Sequence, residues 1–278
     1  MRAAALLHPF PSFLNAVMVS ALALVAGGSA GLALLLGLGM FLIQASIGAV
    51  NDVVDASSDA LVKPFKPIPS RLVGRRPAAL AGVIAAIAGI SLSLVAGGPL
   101  VAGLGLAVLG AGLAYDLVLK PTPYAGLCYA VAFVSVPVYG WWGATGQLPP
   151  RPELLLPIAA LAGPTLQLAN GLVDLEGDRL TGLRGPVVRV GRGRALVFLA
   201  ILLVAIHGIA WLSLVGTGSI PVMALAAVGA ASLLAVTGWW LSTGCEVARR
   251  ERGWQAQAAS IVLLGAGWLG AAADSLSG

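Results

Sequence analysis

The sequence predicts an all-α fold, an integral membrane bundle of nine transmembrane helices. Three observations predict it. Apolar residues make up 59% of the 278-residue chain and charged residues only 10%, where a soluble domain carries roughly 45–50% and about 25%. The apolar residues gather into nine runs that approach or reach the length needed to cross a bilayer. The charge lies almost entirely in the gaps after every second run, and none of those gaps is long enough for a soluble domain.

The runs cover about residues 10–28, 30–50, 78–97, 99–115, 124–146, 153–173, 195–216, 219–242 and 255–275. Long polar loops follow the second and the sixth. Gly103, Gly105, Gly110 and Gly112 in the fourth run let neighbouring helices approach closely, as small residues do in lipid. Trp141 and Trp142 fall near one end of the fifth run, and Trp239, Trp240 and Trp254 near the other side, as interfacial belts. Asn15 and Gln44 lie within runs and serve either as helix–helix hydrogen bonders or as cavity-lining groups. His8, His207, Cys128 and Cys245 are isolated, with no metal-ligand spacing, so packing or hydrogen bonding is the expected role of the histidines.

All 16 Lys and Arg residues except Arg151 lie at the N-terminus or in the loops after runs two, four, six and eight. By the positive-inside rule those loops face the cytoplasm, with the N-terminus inside and the C-terminus outside. All 11 acids except Glu153 and Asp274 share that side. The net charge of +5 therefore belongs to one face and is not a nucleic-acid signal. Arg75, Arg76, Arg184, Arg189, Arg192, Arg194, Arg249, Arg250 and Arg252 read as topology and lipid-headgroup residues.

Two polar ladders interrupt this scheme. Asn51, Asp55 and Asp59 recur at intervals of four at the end of the second run, and Asn170, Asp174 and Asp178 repeat the pattern at the end of the sixth. That spacing puts each trio on one helix face, a turn apart. Carboxylates at a membrane edge are costly unless partnered. Two such ladders facing one another across a cavity would form an oxygen cage for Mg²⁺ and a diphosphate, since Mg²⁺ takes carboxylate, phosphate and water oxygens. Asp52 shares roughly the same face as Asp55 and Asp59, so the metal-ligand candidates are Asn51, Asp52, Asp55, Asp59, Asp174 and Asp178, with Asn170 orienting its neighbours. Lys63, Lys66, Arg71, Lys120 and Arg179 are candidates for the remaining diphosphate charge; Lys63, Arg71, Lys120 and Arg179 are favoured. Glu176 falls on the other side of its helix.

These stretches, Asn51 to Asp59 with the basic Pro-rich segment Lys63-Pro-Phe-Lys-Pro-Ile-Pro-Ser-Arg71, and Asn170 to Asp178 with the following Arg-Leu-Thr-Gly, resemble the NDxxDxxxD and DxxxD motifs of the UbiA superfamily of intramembrane prenyltransferases. The likeness extends over the chain, because the family also places its motifs after spans two and six of nine. It implies a single domain over 1–278, with two pseudo-repeated four-helix halves (about 1–120 and 121–245) and a ninth helix. It also implies a Mg²⁺-dependent enzyme that moves an isoprenyl group from a polyprenyl diphosphate to a small lipophilic acceptor within membrane lipid. Asp55, Asp59, Asp174, Asp178 and Tyr115 are then the catalytic group, and Asn51, Lys63, Arg71, Lys120, Asn170 and Arg179 the diphosphate-binding group. The family's Tyr-to-Lys interval near the end of span four is usually four residues; Tyr115 and Lys120 are five apart. Asp116 positions the tyrosine or the acceptor, or pairs with Lys120. The Arg-Pro that often precedes the first span is replaced by His8-Pro9.

An aromatic or quinone-precursor acceptor is the first expectation and a glycerol ether lipid the second. The wording of Lys66 to Ser70 and Asp174 to Arg179 is closer to the branches acting on such molecules and on chlorophyllides than to the 4-hydroxybenzoate branch. Two rivals remain open on sequence alone. One is a UbiA-type terpene cyclase that ionises a prenyl diphosphate with no second substrate. The other is a cation-coupled transporter, against which stands the clustering of acids at one end of the bundle.

Overall fold

The computed structural model describes residues 9–215 and 221–277, so the His8 position lies outside it. The described chain is helical throughout: α1 (Pro9–Val25), α2 (Ala30–Val62), α3 (Arg75–Ala114) continued by a π-helical turn (Tyr115–Leu119), α4 (Ala125–Thr145), α5 (Pro152–Thr181), the short α6 (Pro186–Val190), α7 (Arg192–Val215), α8 (Val222–Ser242) and α9 (Val247–Ser277). Six of these helices are long and apolar enough to cross a membrane. One of them, Arg75–Leu119, is 45 residues long, about 67 Å of helix against a hydrocarbon core of about 30 Å.

That helix is two spans. Gly98 breaks it with φ 76° and ψ −169°, and Pro99 follows. Only glycine takes such a backbone without strain, and proline cannot donate the hydrogen bond that would continue the helix. A Cβ on Gly105, after the break, would lie 3.2 Å from Ile90 Cδ1 before it, so the chain folds back on itself here. Counting α3 as two, the described residues contain nine long helices in the order the sequence predicts. α9 starts earlier than its apolar run, because Arg249 to Arg252 form its first turns.

The helices divide into two compact units. The first comprises residues up to Lys120 with Ser135–Gln147; the second comprises Pro121–Val134 with Leu148 onward. In the first, α2 packs against both halves of α3. Gly39 and Gly89 mark the closest approach: a Cβ on Gly89 would sit 2.9 Å from Gly39 O and 3.0 Å from Ile43 N. Gly105 and Gly112 meet Ile43 and Ile47, whereas Gly103 and Gly110 face open space and carry no packing. Tyr139, wholly buried, bonds Ser93 Oγ at 2.7 Å.

In the second unit, α5 and α7 enclose a core of Ala169, Leu172, Leu175, Leu199 and Leu203. α8 and α9 meet at Gly238 and Gly253, where a Cβ on Gly253 would come within 2.8 Å of Gly238 O. Gln257 Nε2 donates to Ser242 Oγ at 3.2 Å beside that contact, both residues fully buried. His207 joins α7 to α8 and α9 through Ser232 Oγ (3.1 Å) and Ser260 Oγ (3.3 Å), the hydrogen-bonding role expected of it. Apolar residues such as Leu34, Ile87, Val204, Leu212 and Leu233 point outward, as lipid-facing surfaces require.

Three local expectations change. Asn15 and Gln44 bond within their own helices, to Pro11 O and Met40 Sδ, and join no helices together. Trp141 is buried inside the first unit instead of lying in a belt. Trp239 donates to Leu196 O at 3.0 Å and so ties α8 to α7. A Gly89→Val substitution drives a side chain into the α2 backbone at the α2–α3 contact. The expected cost is about 1–3 kcal/mol, seen as a lowered melting temperature of the purified protein in detergent; Gly103→Val, facing open space, leaves the melting temperature unchanged.

Candidate active site

Both ladders occupy helix ends that outrun the bilayer. α2 has 33 residues, about 50 Å of helix, so its last turns stand clear of a hydrocarbon core of about 30 Å. α5, with 30 residues, does the same. These are also the negative ends of the helix dipoles, where acids are disfavoured by some 0.3–1 kcal/mol each unless a cation answers them. Acids in such a place need partners.

In the first unit the partners are lysines. Lys66 Nζ lies 2.9 Å from Asp52 Oδ1 and 2.7 Å from Asp59 Oδ2. Asp52 and Asp59 are only 2% and 5% exposed. They stand seven residues apart, two turns on one helix face, so one ammonium reaches both. Asp55 looks elsewhere. It forms an ion pair with Lys120, and Asn51 Nδ2 donates to it at 3.2 Å. The same Asn51 nitrogen donates to Asp116 Oδ1 at 2.8 Å. Asp116 therefore pairs with Asn51, and Lys120 with Asp55. With its amide N–H groups engaged by two carboxyls, Asn51 keeps its carbonyl oxygen as the group left for a further ligand.

The loop that supplies Lys66 is built for the purpose. Pro64, Pro67 and Pro69 restrict its backbone. Ile68, 9% exposed, plugs between Ala49, Ala56 and Ala78. The turn closes with Ser70 N and Oγ on Lys66 O at 3.0 and 2.6 Å, and with Leu72 N on Pro67 O at 3.0 Å. Burial works against the Lys66 ammonium, but the charge of Asp52 and the hydrogen bonds to Asp59 and Asp52 outweigh it, and its pKa is raised above the ordinary 10.5. A raised lysine pKa means the pair stabilises the fold fully below pH 10.5 and loses that contribution only as the pH climbs through the higher folded value. Lys63 caps α2 through its backbone N–H on Asp59 O at 2.7 Å. Arg71 is exposed and takes a left-handed φ of 60°, a turn conformation uncommon for arginine.

The five-residue interval between Tyr115 and Lys120 has a structural cause. Residues 115–119 form a π turn, and Lys120 N donates to Tyr115 O at 2.9 Å. A π turn absorbs one extra residue per turn, so Lys120 returns to the helix side of Tyr115 and reaches Asp55. Such turns are frequent at functional sites.

In the second unit, Asn170 Nδ2 approaches Asp174 Oδ2 at 3.5 Å. Gly182, with φ 75°, ends α5 in a left-handed cap, and Leu183 N bonds back to Asp178 O at 2.8 Å. The Arg179-Leu-Thr-Gly182 segment is thus a helix stop just beyond the ladder. Arg179 is exposed. Glu176 points away from Asp174, as its spacing predicts, and pairs with Arg250.

Several arginines read as headgroup residues bond to distant parts of the protein, and one of them is buried. Arg250 is 1% exposed and also donates to Cys245 O at 2.8 Å. Arg192 NH2 caps the end of α8 through Thr243 O and Gly244 O, both at 2.6 Å. Arg189 spans Arg184 O (2.7 Å) and Pro121 O (2.9 Å). Arg249 stacks 4.3 Å over the exposed Trp240. Nothing in the sequence marks these roles, because each depends on carbonyls from distant segments.

The model of the UbiA prenyltransferase family matches residues 13–264. The chain belongs to the UbiA prenyltransferase family. It is a multi-pass membrane protein. It is 31% identical over 200 residues to a digeranylgeranylglyceryl phosphate synthase of Methanopyrus kandleri, covering 69% of this chain and 72% of the relative. To the synthase of the same name from Methanoregula boonei it is 33% identical over 165 residues, 58% of each chain, so this match spans less than two thirds of that relative. Among solved structures, a UbiA homolog from Aeropyrum pernix K1 superposes with a TM-score of 0.75 at 17% identity, over 92% of this chain and 96% of that one. A UbiA homolog from Archaeoglobus fulgidus bound to GPP and Mg²⁺ gives 0.72 at 18% identity, over 95% and 98%.

Among the described residues, no three His, Cys, Asp or Glu side chains form a ready metal array. The donor chemistry of this UbiA family member nevertheless fits Mg²⁺. All ladder donors are oxygens. In the first unit Asp52 and Asp59 meet Lys66, Asp55 meets Lys120, and Asn51 links Asp55 to Asp116, so four carboxyl groups gather at one helix end.

The Arg250–Glu176 pair yields an asymmetric expectation. Glu176 is half exposed and can be hydrated when alone, whereas Arg250 cannot. Glu176→Ala therefore strands a buried charge, a loss of up to about 3–5 kcal/mol, while Arg250→Met leaves a solvated carboxylate and costs less. Thermal unfolding of the two variants side by side checks the order.

Proposed function

We propose that this UbiA family member transfers a polyprenyl group from its diphosphate to a lipophilic acceptor, with Asp55, Asp59, Asp174 and Asp178 as the Mg²⁺-binding carboxylates. The single observation that supports it most is the first ladder itself. Its acids stand at a dipole-disfavoured helix end, with the buried Asp52 and Asp59 sharing Lys66 and Asp55 held by Lys120. Asn51 and Asn170 orient the acids beside them. Bound Mg²⁺ would neutralise charge on the departing diphosphate.

The chain's own residues do the rest. Asn51, held by Asp116, presents its amide oxygen. Lys120, brought to Asp55 by the π turn, and Lys63, Arg71, Asn170 and Arg179 supply charge and hydrogen bonds for diphosphate oxygens. Tyr115, one π turn before Lys120, supplies in this reading an electron-rich ring to steady positive charge on the allylic carbon. The apolar helices keep water from capturing that carbon before the acceptor does. The polar ladder ends lie on the cytoplasmic side, following the arginine and lysine asymmetry.

For the acceptor, the relatives shift the weight from an aromatic ring to a glycerol lipid. Their name describes a product, a glyceryl phosphate carrying two geranylgeranyl groups. The proposed pair is geranylgeranyl diphosphate and a glyceryl phosphate already bearing one such chain.

Asp55→Ala and Asp174→Ala are each expected to abolish transfer of radiolabelled geranylgeranyl groups, by at least about 10³-fold on the scale of a lost electrostatic stabiliser, with unchanged elution of the purified protein. Full wild-type turnover in excess chelator would overturn the metal reading. A hydrocarbon product from geranylgeranyl diphosphate alone would replace transferase by cyclase.

A further inference from the structure

Asp52 and Asp59 are tied to a single lysine that the Pro-rich loop holds rigidly in place. Lys66 Nζ sits 2.9 and 2.7 Å from them, and its side chain is 18% exposed, against 2% and 8% for the carboxyls. A divalent cation and this ammonium seek the same oxygens of Asp59. They cannot both have them at full strength, since two cations a few ångströms apart repel strongly where water is scarce. The ammonium is not held by chance: Ile68 plugs the loop into α2 and α3, and Ser70 closes the turn on Lys66 itself. Asp52 lies three residues before Asp55, yet Lys66 couples it to Asp59.

We infer that Lys66 is the resident counter-ion of Asp52 and Asp59, a positioning residue that must release Asp59 before this acid can hold Mg²⁺, and that thereby sets the metal affinity of the first ladder. Asp52 serves as the fixed anchor to which the ammonium remains attached while Asp59 is handed to the metal. This rests on the metal role proposed for Asp59. It adds that the ladder is weakened toward metal by its own loop, so that the site is not permanently filled before a diphosphate arrives with further oxygens.

The sign of one substitution separates this from a purely structural role. Mn²⁺ binding to the full-length protein in detergent, followed by electron paramagnetic resonance without any diphosphate, is expected to tighten by at least about tenfold in Lys66→Gln, since a unit charge about 4 Å from a divalent ion is already worth roughly thirtyfold in bulk water. Lys66→Arg keeps the wild-type affinity within about twofold. A structural role predicts the opposite, weaker binding in Lys66→Gln, and that outcome overturns the inference, as does unchanged affinity. A second measurement needs no variant. Amine-reactive labelling of the wild-type protein, read by mass spectrometry with Lys63 as the reference, should rise several-fold at Lys66 when Mg²⁺ alone is added. Labelling that stays level or falls while Mn²⁺ binds overturns the inference without touching the proposed activity. Loss of the activity reading has a different signature, full turnover by Asp55→Ala.

Discussion

Carboxylates at the C-terminal end of a membrane helix are the constraint on which the first unit is organised. Asp52, Asp55 and Asp59 stand where the helix dipole is negative and water is limited. Such groups persist only if cations are delivered to them. Lys66 comes from the loop that follows, Lys120 from the end of the fourth span, and each arrives by a device with a clear cause. For Lys66 it is three prolines and an isoleucine plug; for Lys120 it is a π turn. Two backbone irregularities of this unit, the Pro-rich loop and the π turn, lie where a cation is placed.

The second unit uses arginine. Its ladder rides on α5, and α9 sends Arg250 into the protein to meet Glu176 on the side of α5 away from the ladder. α9 is therefore more than a last membrane span. Its charged first turns are part of the support of α5, and Gly238 and Gly253 bring it close enough to α8 to be fixed there. Arg192 and Arg189 complete the set by satisfying carbonyls at helix ends, groups that would otherwise be left without partners near lipid.

Membership of the UbiA prenyltransferase family is compatible with the all-oxygen donor set of the two ladders. The relatives' name describes a glyceryl phosphate carrying two geranylgeranyl groups, a feature that residues near the ladders do not encode. An acceptor is recognised by cavity shape and by a few polar groups whose identity varies among enzymes sharing one diphosphate site. Motif wording alone pointed first to aromatic acceptors for that reason.

The sequence by itself determined the nine long helices and their order, because these follow from hydropathy over a fixed bilayer thickness and from a period of 3.6 residues. It also placed Glu176 off the ladder face and left His207 to hydrogen bonding. Only the tertiary structure decided which cation meets which acid. Asp52 and Asp59 take Lys66, Asp55 takes Lys120, and Arg250 turns inward to Glu176. Those pairings join residues up to 74 positions apart. They depend on how loops fold and how helices are rotated about their axes, and a charge counted along the chain carries no record of either.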